Sequence, residues 1–214
     1  MTGRNTLDDA GQALSEVEKE PARVVGAKRD TPVMRLIGTL AEAGDQPQLI
    51  SASVGTMVVG LLARRPDVAR GGARMLAAHL VATGVKTAIK HRFDRRRPGA
   101  AEESGDHHFR HGSSDDHEEN SFPSGHTAGA VAVALAASRD IDGAGGPAAL
   151  GALAIAAAQP ATGSHYFSDV LAGAAIGWVS EALVSAIFNR VEPEIERALG
   201  EVLRRGGRPL SVSA

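Results

Sequence analysis

Two histidines and an aspartate are the residues of this chain best suited to chemistry. His165 and Asp169 are four apart, so on a helical turn they share a face. A carboxylate there accepts the Nδ1 proton and holds the imidazole in one tautomer, leaving Nε2 as nucleophile or base. His126 closes the stretch PSGH at 123–126, at the threshold of an apolar run. An ordinary imidazole pKa of roughly 6.5 suits it to give a proton to a departing oxygen. Ser124 and Gly125 lie beside it where a helix begins, and backbone N–H groups at such a start favour an anion. Lys90 and Arg97, in KHRFDRRRP at 90–98, add fixed positive charge. Donors and cations around a paired histidine describe a phosphate site, because phosphoryl transfer spreads negative charge over equatorial oxygens.

These residues need elements to bring them together. Five weakly apolar segments, at 46–63, 72–90, 124–138, 146–163 and 168–188, are rich in Ala and Leu and separated by Gly, Pro and charge clusters. They are too long for typical strands and read as helices, which makes the fold class all-α, a bundle of about five long helices. Short amphipathic segments flank it at 31–44 and 191–205. In the latter, Val191, Ile195, Leu199 and Val202 fall at helical spacing. If the last four long helices alternate up and down, Lys90, Arg97, Ser124, His126, His165 and Asp169 all emerge at one end. The opposite turns hold only charges.

Each piece has a plainer reading when taken alone. PSGH is a common way to open a helix, and a His–Asp pair four apart is usually a surface contact. The run RFDRRRP is ordinarily a solvated cluster or an anchor for anionic lipid head groups. Order and register across the chain favour the shared site. Arg97 is given a specific part in it; Arg92, Arg95 and Arg96 are left mainly to the plainer reading.

The order K-x6-RP at 90–98, PSGH at 123–126 and H-x3-D at 165–169 resembles the type-2 phosphatidic acid phosphatase (PAP2) superfamily, over roughly residues 46–189. SFPSGHT at 121–127 and HYFSDVLAG at 165–173 are similar to that family's motif surroundings. The resemblance implies an all-helical fold and a metal-independent phosphatase without cofactor, often a membrane enzyme acting on lipid phosphates and diphosphates; vanadium haloperoxidases share the pocket. It implies that His165 is the nucleophile forming a phosphohistidine, that Asp169 orients it, and that His126 is acid and then base. Lys90, Arg97, Ser124 and Gly125 would hold the phosphoryl oxygens. One departure stands out: the family's third motif usually begins with Ser-Arg, and here those positions are Ala158 and Gln159. A neutral amide at Gln159 can still donate to phosphate but lacks the charged, two-pronged grip of guanidinium. Three consequences are open: slower turnover, replacement by Arg92, Arg95 or Arg96, or binding of phosphate groups without hydrolysis. An active enzyme is favoured, since both histidines, the aspartate and two cations remain.

Composition bounds the alternatives. The formal charge of −2 and the lack of a basic stripe interleaved with aromatics give no reason to expect a nucleic-acid partner. There are no cysteines, which excludes disulfides, thiolate metal sites and thiol catalysis. Residues 1–30 are charged throughout, lack the apolar run of a signal peptide, and read as a solvated, poorly ordered tail. The stretch 99–120 includes four histidines among many acids. Metal capture there is conceivable, but the spacing is irregular and a flexible loop is the expectation. A non-catalytic membrane protein binding head groups or metal through that loop is therefore the alternative to a phosphatase. Small residues suit both a soluble bundle and close-packed membrane helices; the resemblance tips this toward a multi-pass protein of the cytoplasmic membrane, acting on a phosphorylated lipid. With five spans, Arg64, Arg65, Arg70 and Arg74 mark the cytoplasmic side, and the site faces outward.

Overall fold

The computed structural model describes residues 6–26 and 31–206. In chain order the elements are α1 (Thr6–Gly26), α2 (Pro32–Ala41), α3 (Gln46–Leu62), α4 (Pro66–Lys90), β1 (Phe93–Arg95), α5 (Pro98–Ser104), β2 (Phe109–His111), α6 (Gly125–Asp140), α7 (Gly145–Ala161) and α8 (Phe167–Gly206). The five long helices expected from the sequence are α3, α4, α6, α7 and α8. Prolines set several starts: Pro66 opens α4 behind an extended Arg65, as the ring's fixed φ favours at a first turn.

Helices α4, α6 and α8 form the centre, with α3 against α4 and α7 against α6. Their shared core is mostly alanine: Ala78, Ala82, Ala128, Ala132 and Ala136 are buried with Met75 and Val184. Side chains this small let backbones approach closely. The approach is tightest between α3 and α4, where a Cβ on Gly60 would lie 2.2 Å from the Ala69 nitrogen and one on Gly72 2.3 Å from that of Met57; at α8, one on Gly173 would lie 2.5 Å from the Ser124 carbonyl oxygen, and one on Gly177 2.5 Å from that of Ala128. Larger apolar side chains point outward, among them Leu62, Leu80, Leu153, Leu171 and Trp178. One described helix, over Phe167–Val191, is long and apolar enough to cross a membrane; α3 is apolar but shorter. Five spans were expected; α3, α6 and α7, of 17, 16 and 17 residues, are shorter than the roughly 20 residues a span needs, and α4 carries Asp67, Arg70, Arg74, Lys86 and Lys90 along its length.

At the α4 amino end, buried Arg74 donates to Asp140 Oδ2 at 2.7 Å and to Ser185 Oγ at 2.9 Å. Glu181 accepts two bonds from Arg139, at 3.0 and 3.1 Å.

Three expectations are corrected. Residues 6–26 of the supposed tail are helix α1, held by polar contacts: buried Glu18 reaches Arg95 and Ser168, and at the surface Asp8 Oδ1 accepts from the His111 backbone N–H at 2.8 Å. The stretch 99–120, expected to be loose, contains α5 and β2. Strand β2 pairs antiparallel with β1, Arg95 opposite Phe109. Phe93, Phe109 and Phe122 pack with ring centroids 5.1–6.2 Å apart, so the scarce aromatics are spent fastening this cap. Helix α8 runs unbroken to Gly206, where a separate helix from 191 was expected. Expectations for residues 1–5, 27–30 and 207–214 lie outside the described residues.

Candidate active site

The alternation of α4, α6, α7 and α8 brings the three motifs to one end of the bundle. A cavity of about 460 Å³ opens there, lined by Lys86, Lys90, Arg97, Gly125, His126 and His165, with Asp45, Asp115, His117 and Asn120 at its walls. Both imidazoles thus face the same space, as do both expected cations.

His165 lies in the turn after α7 and is 2% exposed. Its Nδ1 is 3.6 Å from Asp169 Oδ2, an electrostatic contact longer than a closed hydrogen bond. Ser121 joins the two: its hydroxyl donates to Asp169 Oδ2 at 2.6 Å and stands 3.5 Å from His165 Nδ1. The Tyr166 N–H also donates to Oδ2, at 2.9 Å. The other carboxylate oxygen, Oδ1, accepts from Arg95 Nη1 at 2.6 Å. Asp169 is thereby fixed on both sides. Burial pushes the His165 pKa down to about 4; Asp169 opposes the shift and the charges of Arg97 and Lys90 add to it. His165 is therefore neutral at pH 7, the form in which an imidazole can attack.

His126 occupies the first turn of α6, about a third exposed, with Nε2 2.6 Å from Asp45 Oδ1. Asp45 precedes α3 in the capping position, yet its side chain makes no cap bond. Arg97 holds the rim together, donating to the His117 carbonyl at 2.9 Å and the Ser164 carbonyl at 3.1 Å. Burial lowers its pKa, countered in part by Asp169. Lys90 Nζ donates to the Asn120 carbonyl.

Two of the expected phosphate ligands lie elsewhere. Ser124 is wholly buried; its hydroxyl caps α6 by accepting from the Thr127 N–H, and its own N–H is spent on the Asp169 carbonyl at 3.0 Å. It holds α6 to α8 and offers no donor to the cavity. Gln159 turns its amide back to the Ile155 carbonyl of its own helix, at 3.1 Å, and does not line the cavity. Arg95 does not fill the vacant arginine position, because its guanidinium is committed to Asp169. Arg96 faces Glu118 instead.

Lys86 and Asp45 are among the lining residues that none of the motifs includes. Lys86 is one turn before Lys90, and that spacing was the available signal. Asp45 had none, since it belongs to no motif and meets His126 only in space. The loop histidines have local partners: His107 Nδ1 is 3.1 Å from the Tyr166 hydroxyl, and His111 Nδ1 is 2.8 Å from Asp8. Among the described residues, no group of three or more His, Asp or Glu side chains is gathered to hold a metal ion.

The fold is similar to two solved structures. LpxE from Aquifex aeolicus superposes with a TM-score of 0.60 at 21% identity, over 79% of this chain and 95% of that one. A transmembrane PAP2 type phosphatidylglycerolphosphate phosphatase from Bacillus subtilis superposes with a TM-score of 0.58 at 17% identity, over 84% and 88%. No curated protein matches the chain. The family model of the PAP2 superfamily matches residues 71–193. That span covers more than half of the chain and carries every expected site residue, so the chain belongs to the PAP2 superfamily and is a phosphoric ester hydrolase.

Proposed function

We propose that this protein hydrolyses a phosphomonoester or diphosphate of a lipid, without metal, through a phosphohistidine on His165. The observation that carries the reading is the pairing of two imidazoles, each beside its own aspartate, in one cavity with Lys86, Lys90 and Arg97. Neutral His165 attacks phosphorus through Nε2, and the bond from phosphorus to the leaving oxygen breaks. The imidazolium of His126 protonates that oxygen. His126 then takes a proton from water, the oxygen of that water attacks the phosphohistidine, and the phosphorus–nitrogen bond breaks to release phosphate and restore His165. Lys86, Lys90, Arg97 and the Gly125 N–H bind the equatorial oxygens.

The substrate class follows from the surroundings. Outward aliphatic side chains on α3, α4, α7 and α8 suit a multi-pass membrane protein, so the substrate's apolar part lies in the bilayer while its head group enters the cavity. The reading puts the cavity outside the cytoplasm; the arginines at the turn between α3 and α4 support this, since positive charge favours the cytoplasmic side. The chain has no cysteines, so single cysteines introduced at the exposed positions Asp142 and Ser113 report sidedness: an impermeant maleimide added to intact cells labels the second and spares the first.

The deciding experiment is hydrolysis of phosphatidic acid and of an isoprenyl diphosphate by purified protein in EDTA. Turnover lost in His165→Ala, with an acid-labile phosphoprotein trapped from labelled substrate in the wild type, supports the reading. No turnover of either substrate at any pH sinks it and favours head-group binding alone.

A further inference from the structure

We infer that Glu18, on the amino-terminal helix, is a positioning residue for the catalytic pair, acting through Arg95 on Asp169. The inference rests on the phosphatase reading above and adds to it a residue outside the matched span of 71–193.

The contacts form one buried chain. Glu18 Oε2 accepts from Arg95 Nη2 at 2.7 Å and from the Ser168 hydroxyl at 2.6 Å, while Oε1 accepts from the Ser168 N–H at 2.8 Å. Arg95, with no exposed surface, carries the link onward: Nη1 donates to Asp169 Oδ1 at 2.6 Å and to Ser168 Oγ at 2.6 Å. Its guanidinium carbon sits 4.0 Å from the Tyr166 ring centroid and 4.9 Å from that of Phe109, so stacking fixes its plane. Asp169 completes the sequence at His165.

Charge explains why a second carboxylate is needed. A buried guanidinium bonded to Asp169 alone would draw electron density from that carboxylate and weaken its hold on the imidazole. A buried charge also needs full compensation. Glu18 shares the guanidinium and leaves Asp169 basic enough to support His165 during attack. It also ties Ser168 N–H, one residue before Asp169, so the start of α8 cannot rotate the carboxylate away. Residues supporting a reacting group in this way commonly change its activity without touching substrate. The arrangement accounts for the order of α1 despite its polar sequence: the helix is fastened by the same contacts that steady the site.

The test uses the full chain in detergent. Glu18→Gln keeps the shape and removes the charge. It is expected to lower kcat about tenfold or more, with KM and the competitive inhibition constant of inorganic phosphate within about twofold. In an Arg95→Gln background the same change has a much smaller further effect, because the link through the guanidinium is already cut and only the tie to Ser168 is altered. An independent reading comes from nitrogen-15 NMR of labelled histidines. Arg95 without its counter-charge disfavours the imidazolium, so the His165 titration moves to lower pH while that of His126 stays. The other groups facing His165 are unchanged in the variant: Asp169 and Ser121 beside the ring, and Asp45, Lys86, Lys90, Arg97, Asp115, His117 and His126 around the cavity. Glu18→Asp, which keeps the charge but withdraws it by one methylene, gives a smaller shift in the same direction. Equal loss of kcat and phosphate affinity, or an unmoved His165 titration, overturns the inference. The NMR arm decides it even if the wild type turns over neither lipid, in which case the phosphatase reading fails separately.

Discussion

Asp45 Oδ1 lies 2.6 Å from His126 Nε2, joining the residue before α3 to the first turn of α6. The carboxylate is free to do so because it forms no cap bond with its own helix. It gives the second imidazole of the cavity an acidic partner, as Asp169 does for the first.

Asp45→Asn is expected to lower kcat by about 10–100-fold on a lipid phosphate, since the imidazolium that protonates the leaving oxygen loses its counter-charge. An aryl phosphate, whose leaving group needs little proton, is expected to suffer much less. Equal losses on the two substrates would argue that Asp45 only holds α3 against α6.

The pH profile follows from His165. Burial places its pKa at about 4, below the ordinary histidine value of roughly 6.5, so the proton leaves more readily and the neutral nucleophile survives further into acid. The acidic limb of kcat/KM is therefore expected below pH 5, with no loss on descending through pH 6.5. The same shift makes folding less favourable as pH falls from about 6.5 toward 4, because the unfolded chain takes up a proton that the buried ring refuses. An acidic limb centred near pH 6.5 would mean that His165 is solvated in the working enzyme.

Lys86 shares the α4 face with Lys90 and lines the cavity beside Gly125: a Cβ on that glycine would lie 3.0 Å from Lys86 Nζ. Lys86→Ala is expected to raise KM for an anionic substrate roughly tenfold with little change in melting temperature. Initial-rate kinetics on one lipid phosphate measure the first, and thermal unfolding the second.

Gln159→Arg restores the side chain usual in the family at a position whose amide now bonds only its own helix. A guanidinium long enough to pass Ile155 and reach the phosphoryl oxygens is expected to increase kcat/KM by about tenfold. A variant that folds and shows no gain would mean that Lys86, Lys90 and Arg97 already saturate the charge that the transition state needs.

Gly173→Ala tests the packing that sets the site. Its new methyl would meet the Ser124 carbonyl at 2.5 Å, forcing α8 from α6 and stretching the bond from the Ser124 N–H to the Asp169 carbonyl. A stability loss of about 1–3 kcal/mol is expected, with activity falling alongside it. Denaturant unfolding and turnover measured together check this.

The helices and the end at which chemistry gathers were legible in the sequence, because alanine-rich runs have one favourable backbone state and strict alternation carries each motif to the same pole. Lys90, Arg97, Gly125, His126 and His165 were legible for that reason. Direction along a helix is local information, but the aim of a side chain is not. Ser124 and Gln159 sit at the expected positions in the chain and point away from the cavity, the first into a cap and the second along its own helix. The partners that complete the site, Asp45 with His126 and Glu18 with Arg95, join segments 81 and 77 residues apart. No periodicity or motif encodes such meetings; they exist only once small residues have let the helices close and left buried charges to find one another.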